Sequence, residues 1–229
     1  MASRTDLELL RTQVANLFRW TAAGDLVDTN EHPGVRGPRA FLGRTREGDL
    51  LSFRDDLDEA ARARVRAWAA DLPRFAGEPT TSATNGLRDA LGGGEGAYAG
   101  PAYLFTRPLF AMGAMLIYPS QAASLHPDLV EWAAELRDRR PCYGVFHQGQ
   151  AVALCSGARG GPDAADAGDE PVAAFRGRGF AAMAVEAWAA DIRGKGRIPF
   201  YSTSWENTAS QAVAGKLGLT LYAEHIHVT

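Results

Sequence analysis

The chain has 229 residues, 46% of them hydrophobic and 22% charged, enough apolar material to bury one large domain or two modest ones without disulfide or metal support. Its formal net charge of −3 at pH 7 provides no basic field for nucleic acid or an anionic membrane surface. The two cysteines, Cys142 and Cys155, are too few for a disulfide framework, and no apolar run approaches the ~20 residues that span a bilayer. The opening Met1-Ala2-Ser3-Arg4-Thr5-Asp6 reaches charge at once, unlike a secretory leader, so a reducing, cytoplasmic setting is expected.

Thr5-x-x-Glu8 reads as a capping box that opens a helix with Leu7, Leu10, Val14 and Leu17 on one face, ended by Gly24-Asp25. Runs 39–44 and 50–54, joined at Glu47-Gly48-Asp49, predict a β-hairpin. Asp55-Asp56 is expected to cap a second helix with the stripe Leu57, Ala61, Val65, Trp68 and Leu72, stopped by Pro73. Segment 86–100 is rich in glycine. Its Gly92-Gly93-Gly94 run lacks the Lys-Ser or Lys-Thr pair of a phosphate-binding P-loop and reads as a flexible joint. The expected organisation is a smaller α+β module of unknown role over residues 1–100, followed by a second domain over 101–229.

In that second domain, 102–106 and 114–118 have strand composition, and Pro127 opens a helix with Leu129, Trp132, Ala133 and Leu136 inward. Arg137, Arg139 and Arg140 fall at its negative end as a solvated terminus, and Pro141 closes it. Runs 142–147 and 150–155 flank Gln148-Gly149 and predict a hairpin with a two-residue turn. That register sets Cys142 opposite Cys155, and two reduced thiols filling a strand face are expected in preference to a redox pair.

Arg176-Gly177-Arg178-Gly179-Phe180-Ala181 opens a long helix with Ala181, Val185, Trp188 and Ile192 on its core side. Glycines in the first turn let a ligand approach the backbone, and free N–H groups with flanking arginines suit an anion. Gly177-x-Gly179-x-x-Ala182 also satisfies the dinucleotide fingerprint. That reading fails because only one more strand–helix pair follows, and Glu206, the nearest suitable acid, comes late. A strand over 197–203, the turn Ser204-Trp205-Glu206-Asn207, and a helix carrying Ala209, Val213 and Leu217 come next, with Gly218 as the stop.

This order of elements and motifs resembles the GCN5-related N-acetyltransferases (GNAT) over about the last ninety residues. The resemblance implies an α/β (α+β) fold with a mixed central sheet and helices on both faces. It implies acetyl-CoA as acyl donor, an amine of a small molecule or amino-acid-like compound as acceptor, and no metal. Arg176, Gly179 and Ala181 fill the defined positions of the R/Q-x-x-G-x-G/A motif that binds the pyrophosphate, and Gly177, Arg178, Phe180 and Ala182 complete that turn. Asn207 matches the asparagine beside the pantetheine arm, with Ser210 following it. The cofactor is implied to lie in a V between two parallel strands, 164–174 and 197–203, with Asp169, Glu170, Pro171 and Val172 beside it. By composition alone, 163–170 has poor strand propensity and reads as a loop.

Attack of an amine on a thioester needs a base, an oxyanion donor and an acid for the thiolate. Glu170 is the first expectation for the base, then Asp166, with Asp169 on the opposite strand face. The family's backbone donor falls on Pro171, which has no N–H, so either Val172 donates from a bulge or this stabilisation is weakened. The family's acid tyrosine falls on Ala214, with Tyr201, Ser204 or water as the source of the thiolate's proton instead. A non-catalytic acyl-CoA sensor or scaffold is the alternative. The family's final hairpin is shortened here, so a strand is expected from the N-terminal module or from a second subunit of a homodimer.

Overall fold

A computed structural model of the chain describes residues 4–31 and 33–229, so the leader reading rests partly on residues outside the described ones. In chain order the elements are α1 Asp6–Leu17, β1 Phe18–Trp20, β2 Leu26–Thr29, β3 Ala40–Thr45, β4 Asp49–Phe53, α2 Glu59–Ala70 and α3 Ala83–Ala90. There follow β5 Ala97–Leu104, β6 Met115–Ile117, α4 Trp132–Glu135, β7 Cys142–His147, β8 Gln150–Gly160 and β9 Ala164–Pro171. The last are α5 Phe180–Gly194, β10 Ile198–Ser202, α6 Thr208–Leu217 and β11 Thr220–Val228. The fold is mixed α/β, as expected. Two compact units divide it: Met1–Tyr103 with Ser202–Thr208 and Leu221–Thr229, and Leu104–Tyr201 with Ala209–Thr220.

The first unit orders its strands β4, β3, β11, β5. The predicted 39–54 hairpin is present, with Ala40 opposite Phe53 and Arg44 opposite Asp49. Alternation along β3 decides which helix packs where. Leu42 joins Ala61, Val65 and Leu87 in the core under α2 and α3, whereas Gly43 faces the Leu10 side chain of α1, where a Cβ would collide. Helices therefore cover both faces. The Thr5–Glu8 capping box is formed as read, but α1 stops at Leu17, and Gly24 instead turns the antiparallel β1–β2 ribbon. The second cap is Asp58, whose side chain accepts from Ala61 N–H, and not Asp55-Asp56. The glycine run is the exit of α3, a helix that the sequence reading missed. Arg39 holds this exit by donating to the carbonyls of Gly93 at 2.6 Å and Leu91 at 3.1 Å. β11 lies between β3 and β5 and pairs antiparallel with β3 from Ala223–Thr45 to Val228–Ala40, so residues before position 100 supply a strand next to the C-terminal one.

The second unit orders its strands β10, β9, β8, β7, β6, with β9–β10 parallel and the other pairs antiparallel. Helix α5 buries Ala181, Val185, Trp188 and Ile192, the stripe read from the sequence. The helix expected from Pro127 breaks into a 3-10 turn, Pro127–Leu129, and the short α4. In α6, Ala214 is the buried position, while Val213 and Leu217 are half-buried and Ala209 is exposed.

The β7–β8 turn has two residues, since His147 meets Gln150. A bulge then shifts the ladder between Val145 and Phe146, so Cys142 meets Ser156 and Tyr143 meets Cys155. The expected Cys142–Cys155 facing pair is thus corrected: one extra residue sends the two side chains to opposite faces. Both are free, buried thiols, and burial pushes Cys142 up to about 12 and Cys155 upward as well. Neither thiol should react with a maleimide in the native protein, and labelling should follow unfolding in urea. Rapid native labelling of one cysteine would contradict this packing.

Candidate cofactor and catalytic site

β9 forms over 164–171 despite its poor strand composition, because it is paired on both sides. Its ladder with β10 has three pairs, Ile198–Ala164, Pro199–Ala165 and Phe200–Asp166. Beyond them β9 runs on to Pro171 and β10 to Ser202, so the parallel strands part. A 3-10 turn, Ala173–Phe175, leads from β9 into the Arg176–Gly179 turn, and α5 begins at Phe180.

Gly177 and Gly179 have φ of +77° and +84°, a left-handed backbone that favours glycine. No side chain caps α5. Its first-turn N–H groups, from Phe180, Ala181 and Ala182, have no intrahelical acceptor by helix geometry. Arg176 and Arg178 are exposed. Arg176 is 3.7 Å from Glu170 in a solvent-screened pair, and Arg178 lies 5.0 Å over the Phe175 ring. The structure adds a residue that sequence reasoning missed. Lys216 of α6 rests its ammonium against Gly179, in the space a Cβ would take. No carboxylate pairs with Lys216 among the described residues. Three cations therefore flank one helix start, and nothing in the spacing of Lys216 from the motif signalled it.

The candidate carboxylates are placed differently from one another. Asp166 is buried and faces Arg159 across the ladder. Glu170 is opposite Leu154, with its side chain 46% exposed. Asp169 is half-buried, opposite Cys155, and accepts a 2.9 Å hydrogen bond from the Tyr201 hydroxyl. Burial pushes Asp169 above the ordinary carboxylate range, against the lowering effect of that hydrogen bond. Tyr201 itself is buried, also bonds Ser210, and is pushed up by burial and by Asp169. The Val172 N–H donates to the Val152 carbonyl at 2.9 Å, so the residue expected to replace Pro171 as oxyanion donor already has an acceptor. In the first unit, Asn207 is exposed and its N–H donates to Ser204.

Residues 172–228 match the family described as FR47-like protein, which is GNAT-related, and the resemblance read from the sequence is borne out there. Among solved structures, a putative acetyltransferase of the GNAT family from Novosphingobium aromaticivorans is 17% identical, with 58% of this chain and 65% of that one covered at a TM-score of 0.49. This chain thus spans slightly less than two thirds of that protein. An acetyltransferase of the GNAT family from Colwellia psychrerythraea is 13% identical over 79% of this chain and 76% of its own, at 0.49. A GCN5-related N-acetyltransferase-like protein from Streptococcus suis is 15% identical over 84% and 85%, at 0.48. No curated protein matches the chain.

Proposed function

We propose that the chain is a cytoplasmic, metal-independent N-acetyltransferase that moves the acetyl group of acetyl-CoA to an amine of a small or amino-acid-like acceptor. Residues 101–229 would form the acyl-CoA-binding domain and residues 1–100 the module before it. The observation that carries the reading is the uncapped start of α5, with two left-handed glycines and three cations, directly after a strand that parts from its parallel neighbour. Such a turn suits a diphosphate, because backbone N–H groups and positive side chains converge where no Cβ intrudes. In this reading Arg176, Gly177, Arg178, Gly179, Phe180, Ala181 and Ala182 hold the pyrophosphate, and Asn207 and Ser210 serve the pantetheine arm. Asp169, Glu170, Pro171 and Val172 lie along the acyl end.

A second reading, a non-catalytic acyl-CoA sensor or scaffold, is favoured by two observations. Pro171 lacks an N–H and Val172 has spent its own, and the buried Ala214 stands where the family has a tyrosine. Calorimetry with acetyl-CoA and a free-thiol assay across an amine library separate the two. Saturable binding with amine-dependent thiol release is expected. Binding without turnover would favour the sensor, and no binding would end both.

A further inference from the structure

We propose that the general base of this site is Asp169, held and tuned from behind by Tyr201 as a positioning residue. The inference rests on the acetyltransferase reading above. It differs from the order read off the sequence, in which Glu170 and Asp166 came first.

Position supports it. The last ladder pair between β9 and β10 is Phe200–Asp166, and immediately beyond it the two strands are joined by side chains, Tyr201 Oη donating to Asp169 Oδ1 at 2.9 Å. The pair therefore spans the opening fork, where a thioester lying between the strands would end. Tyr201 also hydrogen-bonds Ser210 of α6 and is almost wholly buried, whereas Asp169 is half-buried. Asp166 cannot compete, because it is buried and stands across from Arg159. Glu170 is drawn towards Arg176 in the phosphate turn.

Chemistry supports it as well. The groups facing Asp169 are Cys155 on β8, Tyr201 on β10 and Glu170 along β9. The buried face of α5, which packs on β9, is built of alanines, Val185, Trp188 and Ile192 and carries no ionisable group. Asp169 is thus flanked by two groups that stay neutral and one carboxylate, and burial raises its proton affinity above that of an ordinary carboxylate, the direction that favours a base. The acceptor arrives as R–NH3+, and one proton passes to the Asp169 carboxylate. The nitrogen lone pair forms the N–C bond while the C–S bond breaks, with its electron pair leaving on sulfur. The second proton lost by nitrogen ends on the thiolate, and Asp169 releases its own to water. Tyr201 keeps its proton throughout.

The test is the pH–rate profile of thiol release from acetyl-CoA with a saturating amine, beside acetyl-CoA affinity by calorimetry. The acidic limb of the parent should lie above the ordinary carboxylate range. Asp169→Asn should lower the rate ~10²–10⁴-fold, remove the limb and leave acetyl-CoA affinity within a few-fold. Tyr201→Phe removes a donor to the carboxylate, so it should move the limb to higher pH. A merely structural role for Tyr201 would not shift the limb in that direction. If Asp169→Asn does not fold, the loss of one hydroxyl in Tyr201→Phe decides alone. An Asp169→Asn rate within a few-fold of the parent, or a limb unmoved in Tyr201→Phe, overturns the assignment while the acetyltransferase reading stands. A parent that binds acetyl-CoA but releases no thiol with any amine overturns both.

Discussion

Gly179→Asp is expected to abolish measurable acetyl-CoA binding, a loss of more than about 100-fold, while the protein stays folded. Three effects act together at this position. The backbone φ of +84° is unfavourable for any residue with a Cβ, by roughly 1–2 kcal/mol. The new Cβ would occupy the place of the Lys216 ammonium, which must swing away. A carboxylate at the start of α5 then repels the phosphates and pairs with the displaced lysine, so the site gains an anion and loses a cation. Gly179→Ala carries the strain and the displacement without the charge, and should weaken binding only in part. Calorimetry on both variants, with circular dichroism and melting temperature as fold controls, checks the ordering. A folded Gly179→Asp protein with parental affinity would remove the pyrophosphate assignment.

Glu224→Leu should destabilise the first unit by about 3 kcal/mol or more, the largest stability effect expected of any single surface-distant polar residue here. Glu224 on β11 is fully buried, yet its carboxylate is well supplied with donors. Oε1 accepts from the Thr80 N–H at 2.9 Å and from Trp205 Nε1 at 2.8 Å, and Oε2 accepts from the Thr80 hydroxyl. That hydroxyl in turn accepts from the buried Arg44 at 2.7 Å, whose other nitrogens reach Asp49 at 3.2 Å and the Pro73 carbonyl at 2.5 Å. Leucine removes the acceptor and leaves two N–H donors and a hydroxyl unsatisfied in the core. Glutamine keeps one carbonyl acceptor and should cost about 1–2 kcal/mol. For a chain of this size ~3 kcal/mol corresponds to a melting shift of roughly 6–12 °C. Thr80→Ser should retain most of the stability and Thr80→Val should not. Urea unfolding of Glu224→Leu within about 1 kcal/mol of the parent would show that the network contributes little.

Local signals were read well where the physics is local. The capping box at Thr5 and Glu8, the hairpin over 39–54 and the stripe of α5 each depend on residues a few positions apart, and each is formed. The glycine turn before α5 belongs with them as a backbone feature, since positive φ at Gly177 and Gly179 is a property of the residue type, with no partner needed. The end of α1 was misread because an apolar strand, Phe18–Trp20, continues the helical face without a break in composition. Helix α3 was missed because glycines 86 and 92–94 read as a joint, although Arg39, more than fifty residues earlier, ties the helix exit down.

What the sequence determined by itself is therefore the class of the C-terminal segment and the turn that starts α5. Tertiary structure alone decided the rest. The β9 segment, poor in strand formers, is extended because β8 and β10 supply its hydrogen bonds. The cysteines are separated by a bulge at Val145–Phe146 that no composition announces. Lys216 meets Gly179, and Tyr201 meets Asp169, across separations of more than thirty residues. Such contacts depend on how a strand parts and where a helix lies, so pairing and packing choose them, and one-dimensional spacing carries no record of that choice.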